Sequence, residues 1–245
     1  SRLTLKTLVL EQIDSLVLDK FMAQEIWKCR ALKEVQLHRF DTTNSLQDAF
    51  QAIGGRLTTL SFLRPSSENE IRALRQFCPS IRALSLSFSS ACSPLSISEI
   101  SEYNSLVHAL GGSLEFLSLT KVRTLNGLNF AEHATNLKHL RLHFDVEPDF
   151  SAIELLLRGN GMYLRSLNLH IRGMGTFARN TPYLLRLVQQ QCSDLTMMEL
   201  NLWSFESLSN MDWELHESSL GGFEAAMPNC CTKWTRAHLR AARTA

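Results

Sequence analysis

The six-residue stretch Leu114–Leu119, LEFLSL, decides the fold of this chain. Leucine occupies its first, fourth and sixth positions. Seven other segments share this apolar-x-x-apolar-x-apolar spacing, and of the 24 apolar positions 20 are leucine. The eight segments are Leu5–Leu10, Leu32–Leu37, Leu57–Phe62, Ile81–Leu86, Leu114–Leu119, Leu137–Leu142, Leu164–Leu169 and Leu195–Leu200. Their starts are 23 to 33 residues apart, and self-similarity at such a period indicates a repeat architecture.

The segments between these strands are predicted to be helical. Apolar residues stand seven positions before six of the starts and, in four units, four positions earlier again, which places both on one helix face. These residues are Phe50, Leu74, Val107, Phe130, Leu157 and Val188, with Leu46, Tyr103, Ile153 and Leu184. Three positions before each start from the second unit onward stands a small residue: Cys29, Gly54, Cys78, Gly111, Ala134, Gly161 or Cys192. We expect glycine there because it tolerates a left-handed backbone where a helix ends.

Each unit is therefore predicted to be a helix, a tight turn and a short strand. One such unit cannot bury its apolar edge alone, so the units must stack, with each touching only its neighbours. A helix is about 10 Å wide and a strand about 4.8 Å. The sequence thus predicts an α/β solenoid of about eight irregular repeats, curved with parallel strands on the concave face and helices on the convex face.

Segments such as Leu114–Leu119 and Leu164–Leu169 resemble leucine-rich repeats, and the resemblance covers residues 3 to 203. The long, uneven units with helices are similar to the ribonuclease-inhibitor-like and F-box-associated repeats. The segment Cys78–Leu86, CPSIRALSL, is similar to the cysteine-containing units of F-box proteins. The Asn or Cys that the family usually carries eight residues after the first Leu is absent from all eight units. An irregular, divergent array is therefore expected.

The ends of the chain carry weaker signals. The first repeat starts at Leu5 with no polar cap before it, so we expect a preceding segment. Near the other end, Cys230, Lys233 and Thr235 occupy the three apolar positions of a further motif, so no regular strand is expected. The predicted organisation is a leucine-rich-repeat arc over residues 1–205. Residues 206–245 are predicted to be a degenerate C-terminal repeat, a cap or a terminal helix with a basic tail.

The cysteines and the known catalytic motifs predict no cofactor and no metal site. No Cys-x-x-Cys pair is present, and three of the six cysteines share their position with Gly and Ala, which is typical of buried packing residues. Such cysteine use fits a reducing compartment. The chain has no Gly-rich phosphate loop, no His-Glu-x-x-His and no Gly-x-Ser-x-Gly. The chain is therefore predicted not to be an enzyme.

Side chains alternate along a strand, so the positions between and after the leucines are expected on the concave face. Small hydroxyl residues dominate there in units three to five, whereas larger polar residues occupy units six and seven. A partner is predicted to contact Gln36, His38, Ser61, Ser85, Ser118, His139, Arg141, His143, Asn168, His170 and Glu199. Arg141 is the strongest hydrogen-bond donor in this set. His143 and His170 are expected on adjacent strands, about 5 Å apart. A solvated face without a ligand remains the alternative.

Composition excludes several classes of protein. The chain has 245 residues with a net charge of +1, and 44% of its residues are apolar, so a disordered chain is excluded. No basic excess marks a nucleic-acid binder, and nucleic acid is not an expected partner. Apolar runs reach only about five residues, too few to cross a bilayer, and no membrane is expected. The expected location is intracellular, either cytoplasmic or nuclear. Ser93-Pro94 in a serine-rich stretch is a candidate phosphorylation site.

The leading functional prediction is protein recognition by the concave face. The resemblance implies, more specifically, the substrate-binding part of an F-box-type ubiquitin ligase receptor, with the ligase adaptor as partner only if an F-box lies upstream. A structural or assembly subunit of a large complex is the first alternative. A GTPase-activating leucine-rich-repeat protein is the second, and it requires an arginine that reaches a nucleotide. Arg141 is the only arginine at a concave position between or directly after the motif leucines.

Overall fold

A computed structural model describes most of the chain. The described residues are 4–11, 26–38, 45–63, 68–88, 97–122, 125, 127–128, 133–146, 148, 150–172, 177–204 and 222–238. The candidate phosphorylation site at Ser93, as well as Cys92 and Phe130, lies outside these ranges.

Nine strands form one sheet whose order follows the chain. They are β1 (Thr7–Glu11), β2 (Glu34–His38), β3 (Thr59–Leu63), β4 (Ala83–Ser87), β5 (Phe116–Val122), β6 (His139–Phe144), β7 (Ser166–Arg172), β8 (Met197–Ser204) and β9 (Cys231–His238). Each of the first eight overlaps a predicted segment and begins two residues after the first position of that segment. The predicted fold class, an α/β sheet of parallel strands with intervening helices, is confirmed.

Five helices lie between the described strands. They are α1 (Ser45–Ile53), α2 (Glu68–Phe77), α3 (Ile97–Leu110), α4 (Phe150–Asn160) and α5 (Phe177–Gln191). Short 3-10 turns occupy Ile26–Lys28, Gly54–Arg56 and Gly161–Tyr163, and residues 222–226 are also helical. The apolar residues that predicted these helices are buried wherever their side chains are described, for example Val107, Ile153 and Val188.

The strands share one register, which is set by a repeated backbone hydrogen bond. Just before six of the strands, β1 to β4, β6 and β7, a carbonyl accepts from two consecutive N–H groups of the next repeat. The Thr58 carbonyl, for instance, bonds the N–H groups of Arg82 and Ala83, and the Arg82 carbonyl bonds those of Glu115 and Phe116. This register places equivalent leucines side by side along the stack.

The chain forms two compact units. The N-terminal unit comprises residues 1–119 with 128–136, and the C-terminal unit comprises 120–127 with 137–245. In the N-terminal unit Leu60 pairs with Leu84, and Leu117 continues the same register; all three are fully buried. In the C-terminal unit Leu140 pairs with Leu167 and Leu167 with Met198, again all buried. The predicted curvature and the predicted boundary at residue 205 stay predictions.

The small residues before each strand pack against the next unit, and this corrects the predicted reason for glycine. Neither Gly54 nor Gly111 has a positive φ. A Cβ built on Gly54 would lie 2.4 Å from the Phe77 carbonyl oxygen, and one on Gly111 would lie 1.8 Å from that of His133. A Cβ on Gly161 would likewise lie 3.0 Å from the Cys192 sulfur. Glycine is needed there because the backbone of the next turn comes too close, and in the first and third cases a cysteine fills the facing position.

The ninth strand corrects the expectation that no strand follows residue 230. Residues Cys231–His238 pair in parallel with β8, with Leu200 opposite Trp234 and Met198 opposite Thr232. The motif therefore starts one residue earlier than the sequence suggested, at Asn229, and a terminal helix over the basic residues Lys233 and Arg236 is wrong. Pairing with the edge of β8 uses backbone groups, so it does not require leucine at each position.

Candidate functional site

The polar positions of β6, β7 and β8 form two rows across the C-terminal unit. In the first row Arg141 lies opposite Asn168, and Asn168 opposite Glu199. In the second row His143 lies opposite His170, and His170 opposite Asn201. We call this surface, with the polar side chains that flank it, the strand face of the C-terminal unit. The shared register brings the larger polar residues predicted from sequence together on one surface.

The carboxylate of Glu199 in the first row accepts hydrogen bonds from two neighbouring asparagines. Asn168 Nδ2 donates to its Oε2 at 2.5 Å, and Asn201 Nδ2 donates to its Oε1 at 3.0 Å. Both carboxylate oxygens are therefore engaged, and the charge of Glu199 is spread over two amides. Hydrogen bonds to a carboxylate are about twice as strong as neutral ones. This part of the strand face is accordingly held in one arrangement before any partner arrives.

The two histidines of the second row are stacked. Their ring centroids are 4.0 Å apart and their planes are inclined by 34°. Burial lowers the pKa of His170 to about 4, with further lowering by His143, Arg172 and Arg141. Burial also lowers the pKa of His143, although Asp145 acts in the opposite direction. Both rings are therefore neutral at pH 7.

Three charged residues join the site that the sequence reasoning did not assign to it. Asp145 Oδ1 lies 3.5 Å from His143 Nε2 and 3.9 Å from Arg172 Nη1. Lys121 and Arg172 both act electrostatically on His143. These residues follow the six-residue motif, because β5 and β7 run three residues beyond it. The signals in the sequence are the apolar residues beyond the motif: Phe144 and Ile171 continue the alternation, and Val122 follows one residue later than the alternation would place it.

The remaining predicted residues lie mainly in the N-terminal unit and form a different kind of surface. Gln36 donates to Glu34 Oε1 at 2.8 Å, while Ser61 and Ser85 are half-buried. Ser118 is only 4% exposed and presents little to a partner. His38 lies on β2, but its side chain is outside the described part. His139 lies in the C-terminal unit at the start of β6 and is half-buried.

A second pair of histidines lies on the helix side of the N-terminal unit. His108 Nδ1 and His133 Nδ1 are 3.3 Å apart, at one side of an open cavity of about 680 Å³ that Arg75 and Ile100 also line. Among the described residues, no group of three or more His, Cys, Asp or Glu side chains is arranged to hold a metal ion. Within the same residues no helix is both long enough and apolar enough to cross a bilayer.

Comparison with known proteins identifies the fold. No family model matches the chain, and no curated protein matches it. Among solved structures, the chain is similar to the leucine-rich repeat-containing protein LegL7 from Legionella pneumophila. The TM-score is 0.51 at 12% sequence identity, over 96% of this chain and 83% of the other. The match supports a fold of the leucine-rich-repeat type. At this low sequence identity the similarity concerns the fold alone.

Proposed function

We propose that this chain is a protein-recognition module and that the strand face of its C-terminal unit contacts the partner. The observation that carries the proposal is the pre-arranged row Arg141, Asn168 and Glu199 beside the stacked histidines. Asn168 and Glu199 are fixed to each other, whereas Arg141 is exposed and has no ion-pair partner within the described residues. A rigid polar surface with one open guanidinium can bind a protein segment at little entropic cost.

The leucine-rich-repeat fold supports this reading. A stack of parallel strands leaves a row of alternating side chains outside the core, and repeat proteins use such extended surfaces for binding. Among the described residues no three or more His, Cys, Asp or Glu side chains are arranged to hold a metal ion, and the charged groups that act on His170 are His143, Arg172, Arg141 and Asp145. We therefore propose a binding role rather than a catalytic one.

Site-specific photo-crosslinking tests the proposal. Benzoylphenylalanine placed at Met197, which is 39% exposed on β8 two residues before Glu199, should capture a protein partner in cells, while the same group at Leu155 on α4 should not. Leu155 is a matched control because it is 64% exposed and lies on a helix of the same unit. The double variant with Arg141→Glu and His170→Glu should no longer retain the captured protein in a pull-down. Adducts from Leu155 alone would contradict the proposal.

Adducts from Leu155 alone would favour a structural or assembly subunit of a large complex. Exposed apolar side chains support this alternative. The helix side of the C-terminal unit exposes Leu155, Met162 and Tyr163 to 64%, 57% and 47%. Large apolar side chains exposed in this way mark interaction surfaces when they are contiguous. The two functions differ in which side of the same unit is covered, and the crosslinking pair separates them.

The finer proposal is the substrate-binding part of an F-box-type ubiquitin ligase receptor. It is supported by the resemblance of Cys78–Leu86 to F-box-associated repeats and requires an F-box upstream of residue 1. The test is co-precipitation of the full-length gene product with the ligase adaptor, together with ubiquitylation of the protein captured at Met197. A full-length product that leaves the adaptor unbound would refute the ligase role and leave the recognition role standing.

A further inference from the structure

Cations surround the histidine pair on the strand face of the C-terminal unit. Lys121 on β5, Arg141 on β6 and Arg172 on β7 are called here the cationic cluster, which flanks the neutral rings of His143 and His170. We infer that this cluster binds an acidic peptide segment, rich in Asp or Glu, of the protein partner. This inference rests on the proposed function and names the chemistry of its ligand.

The charges of the strand face are not balanced within the described residues. Arg172 shares Asp145 with His143. Arg141 and Lys121 have no ion-pair partner among the described residues. The other nearby carboxylate, Glu199, already accepts hydrogen bonds from two amides. Two cations therefore remain for charges supplied from outside, and guanidinium groups bind carboxylates with particular strength because they donate two parallel hydrogen bonds.

The histidines fit the same ligand. His143 Nε2 is buried and has no hydrogen-bond partner in the described part, since Asp145 at 3.5 Å does not satisfy it. A neutral imidazole donates one N–H, and a carboxylate can accept it. If the ligand approaches, its negative charge also favours the protonated rings, which burial and the surrounding cations disfavour in the free protein.

Lys121 supplies an independent observation. It is the only non-glycine residue with a positive φ in the described part of the chain, at 58°. A left-handed backbone is strained for an L-residue, and glycine would avoid this strain. The chain nevertheless has a lysine there, at a point on β5 from which its charge acts on His143. Strain of this kind persists where the surrounding structure requires it and concentrates at functional sites.

The size of the cluster favours a peptide over nucleic acid. Its cations lie on three consecutive strands, a width of about 10 Å, which matches a few carboxylates. Nucleic-acid binding relies on an extended basic surface that neutralises many phosphates, and the net charge of this chain is only +1.

Fluorescence anisotropy on the purified full chain tests the inference, with a labelled Glu octapeptide as the probe and a Gln octapeptide as its control. The Glu peptide should bind in 50 mM salt and the Gln peptide should not. Arg141→Gln and Lys121→Gln should each weaken binding at least fivefold. Arg186→Gln, which removes one exposed charge from α5 of the same unit, should change the affinity less than twofold.

The pH dependence adds a readout that a purely structural role would not change. The groups that face the histidines are Lys121, Arg141, Asp145, Arg172, Glu199 and Asn201. Because the bound anion promotes protonation of the histidines, the affinity should rise as the pH falls from 7.5 to 5.5. In His170→Gln this rise should be reduced.

Three results would overturn the inference. They are no binding of the Glu peptide, equal weakening by Arg141→Gln and Arg186→Gln, or tighter binding of an eight-nucleotide single-stranded DNA than of the Glu peptide. A protein adduct at Met197 combined with no Glu-peptide binding would reject the acidic ligand alone. The absence of any adduct at Met197 would reject the proposed function itself.

Discussion

The rings of His143 and His170 stack on adjacent strands with their centroids 4.0 Å apart. The contact follows from the sheet register, which pairs the two residues directly. Burial disfavours the protonated form of both rings, and at His170 the neighbouring His143 and the flanking arginines add to this effect. The pair is therefore neutral at pH 7, and the strand face of the C-terminal unit owes its positive charge to Lys121, Arg141 and Arg172.

The titration of the pair provides the first prediction. The pKa of His170 should be measured by NMR near 4, far below the ordinary value of 6.5. Arg141→Gln removes one of the charges that lower this pKa, so the pKa should rise in that variant. Arg186→Gln on α5 should leave it unchanged. A His170 that titrates at its ordinary value in the wild-type chain would show that the stacked, cation-flanked arrangement does not form.

The same shift affects stability. Between about pH 6.5 and pH 4 the unfolded state binds a proton at His170 that the folded state does not. The contribution of neutral His170 to the free energy of unfolding should therefore be fully present above pH 6.5. It should decrease as the pH is lowered from about 6.5 to 4. Urea denaturation at pH 7 and at pH 4.5 measures the decrease in the free energy of unfolding. In His170→Gln this decrease should be smaller than in the wild type. An identical fall in both proteins would contradict the prediction.

Close packing between neighbouring units predicts opposite effects for two adjacent glycines. Gly54→Ala would place a Cβ 2.4 Å from the Phe77 carbonyl oxygen, so the free energy of unfolding should fall by at least about 2 kcal/mol. Gly55 has nothing within 4 Å of its Cβ position. Gly55→Ala should leave stability unchanged or raise it by up to about 1 kcal/mol. Urea denaturation measures both, and equal effects would refute the close approach.

Strain at Lys121 predicts a trade between stability and binding. Lys121→Gly relieves the positive φ, so the free energy of unfolding should stay constant or rise by about 1 kcal/mol. Thr120→Gly, at the preceding residue with an ordinary φ, should lower it by about 1 kcal/mol. Lys121→Gly should also weaken binding of the Glu octapeptide as much as Lys121→Gln does. Destabilisation by both glycines alike would contradict the assigned backbone conformation.

The shared core predicts the effect of a buried charge. Leu117 is fully buried on β5, so Leu117→Asp should unfold the array at a cost of several kcal/mol. Leu117→Met conserves the volume and should cost less than about 1.5 kcal/mol. Thermal melting followed by circular dichroism distinguishes the two variants. An unshifted melting curve for Leu117→Asp would refute the register of the leucines.

The sequence predicts the fold well because burial in a repeat has a period. Equivalent leucines of the repeats, such as Leu140 and Leu167, are buried for the same physical reason. The eight occurrences of the motif therefore reinforce each other as evidence for the fold. The side-by-side placement of His143 and His170 follows from that register alone. The register of the last repeat is not predictable in this way, because Thr232 and Trp234 occupy positions where the other repeats have apolar residues, mostly leucine. The predicted motif therefore differs from the observed register by one residue.

Other features depend on distances that no pattern encodes. Gly54 was correctly assigned to a position for small residues, but the reason was wrong, because the approach of the Phe77 carbonyl is a property of the stacked units. Lys121, Asp145 and Arg172 lie beyond the six-residue motif, and only the observed strand lengths bring them to the site. Charges of this kind are visible in a sequence, whereas their neighbours are not.

The most direct test of the account is a pair of engineered disulfides on the strand face of the C-terminal unit. Arg141→Cys with Asn168→Cys joins residues that are opposite each other in the sheet, within the roughly 4.4–6.8 Å Cα separation that a disulfide requires. Arg141→Cys with Arg172→Cys, four residues further along β7, spans about 13 Å along the strand direction. Mild oxidation followed by peptide mass mapping should find the first link in high yield and not the second. Failure of the first pair to link, or equal linking of both pairs, would contradict the register on which the site depends.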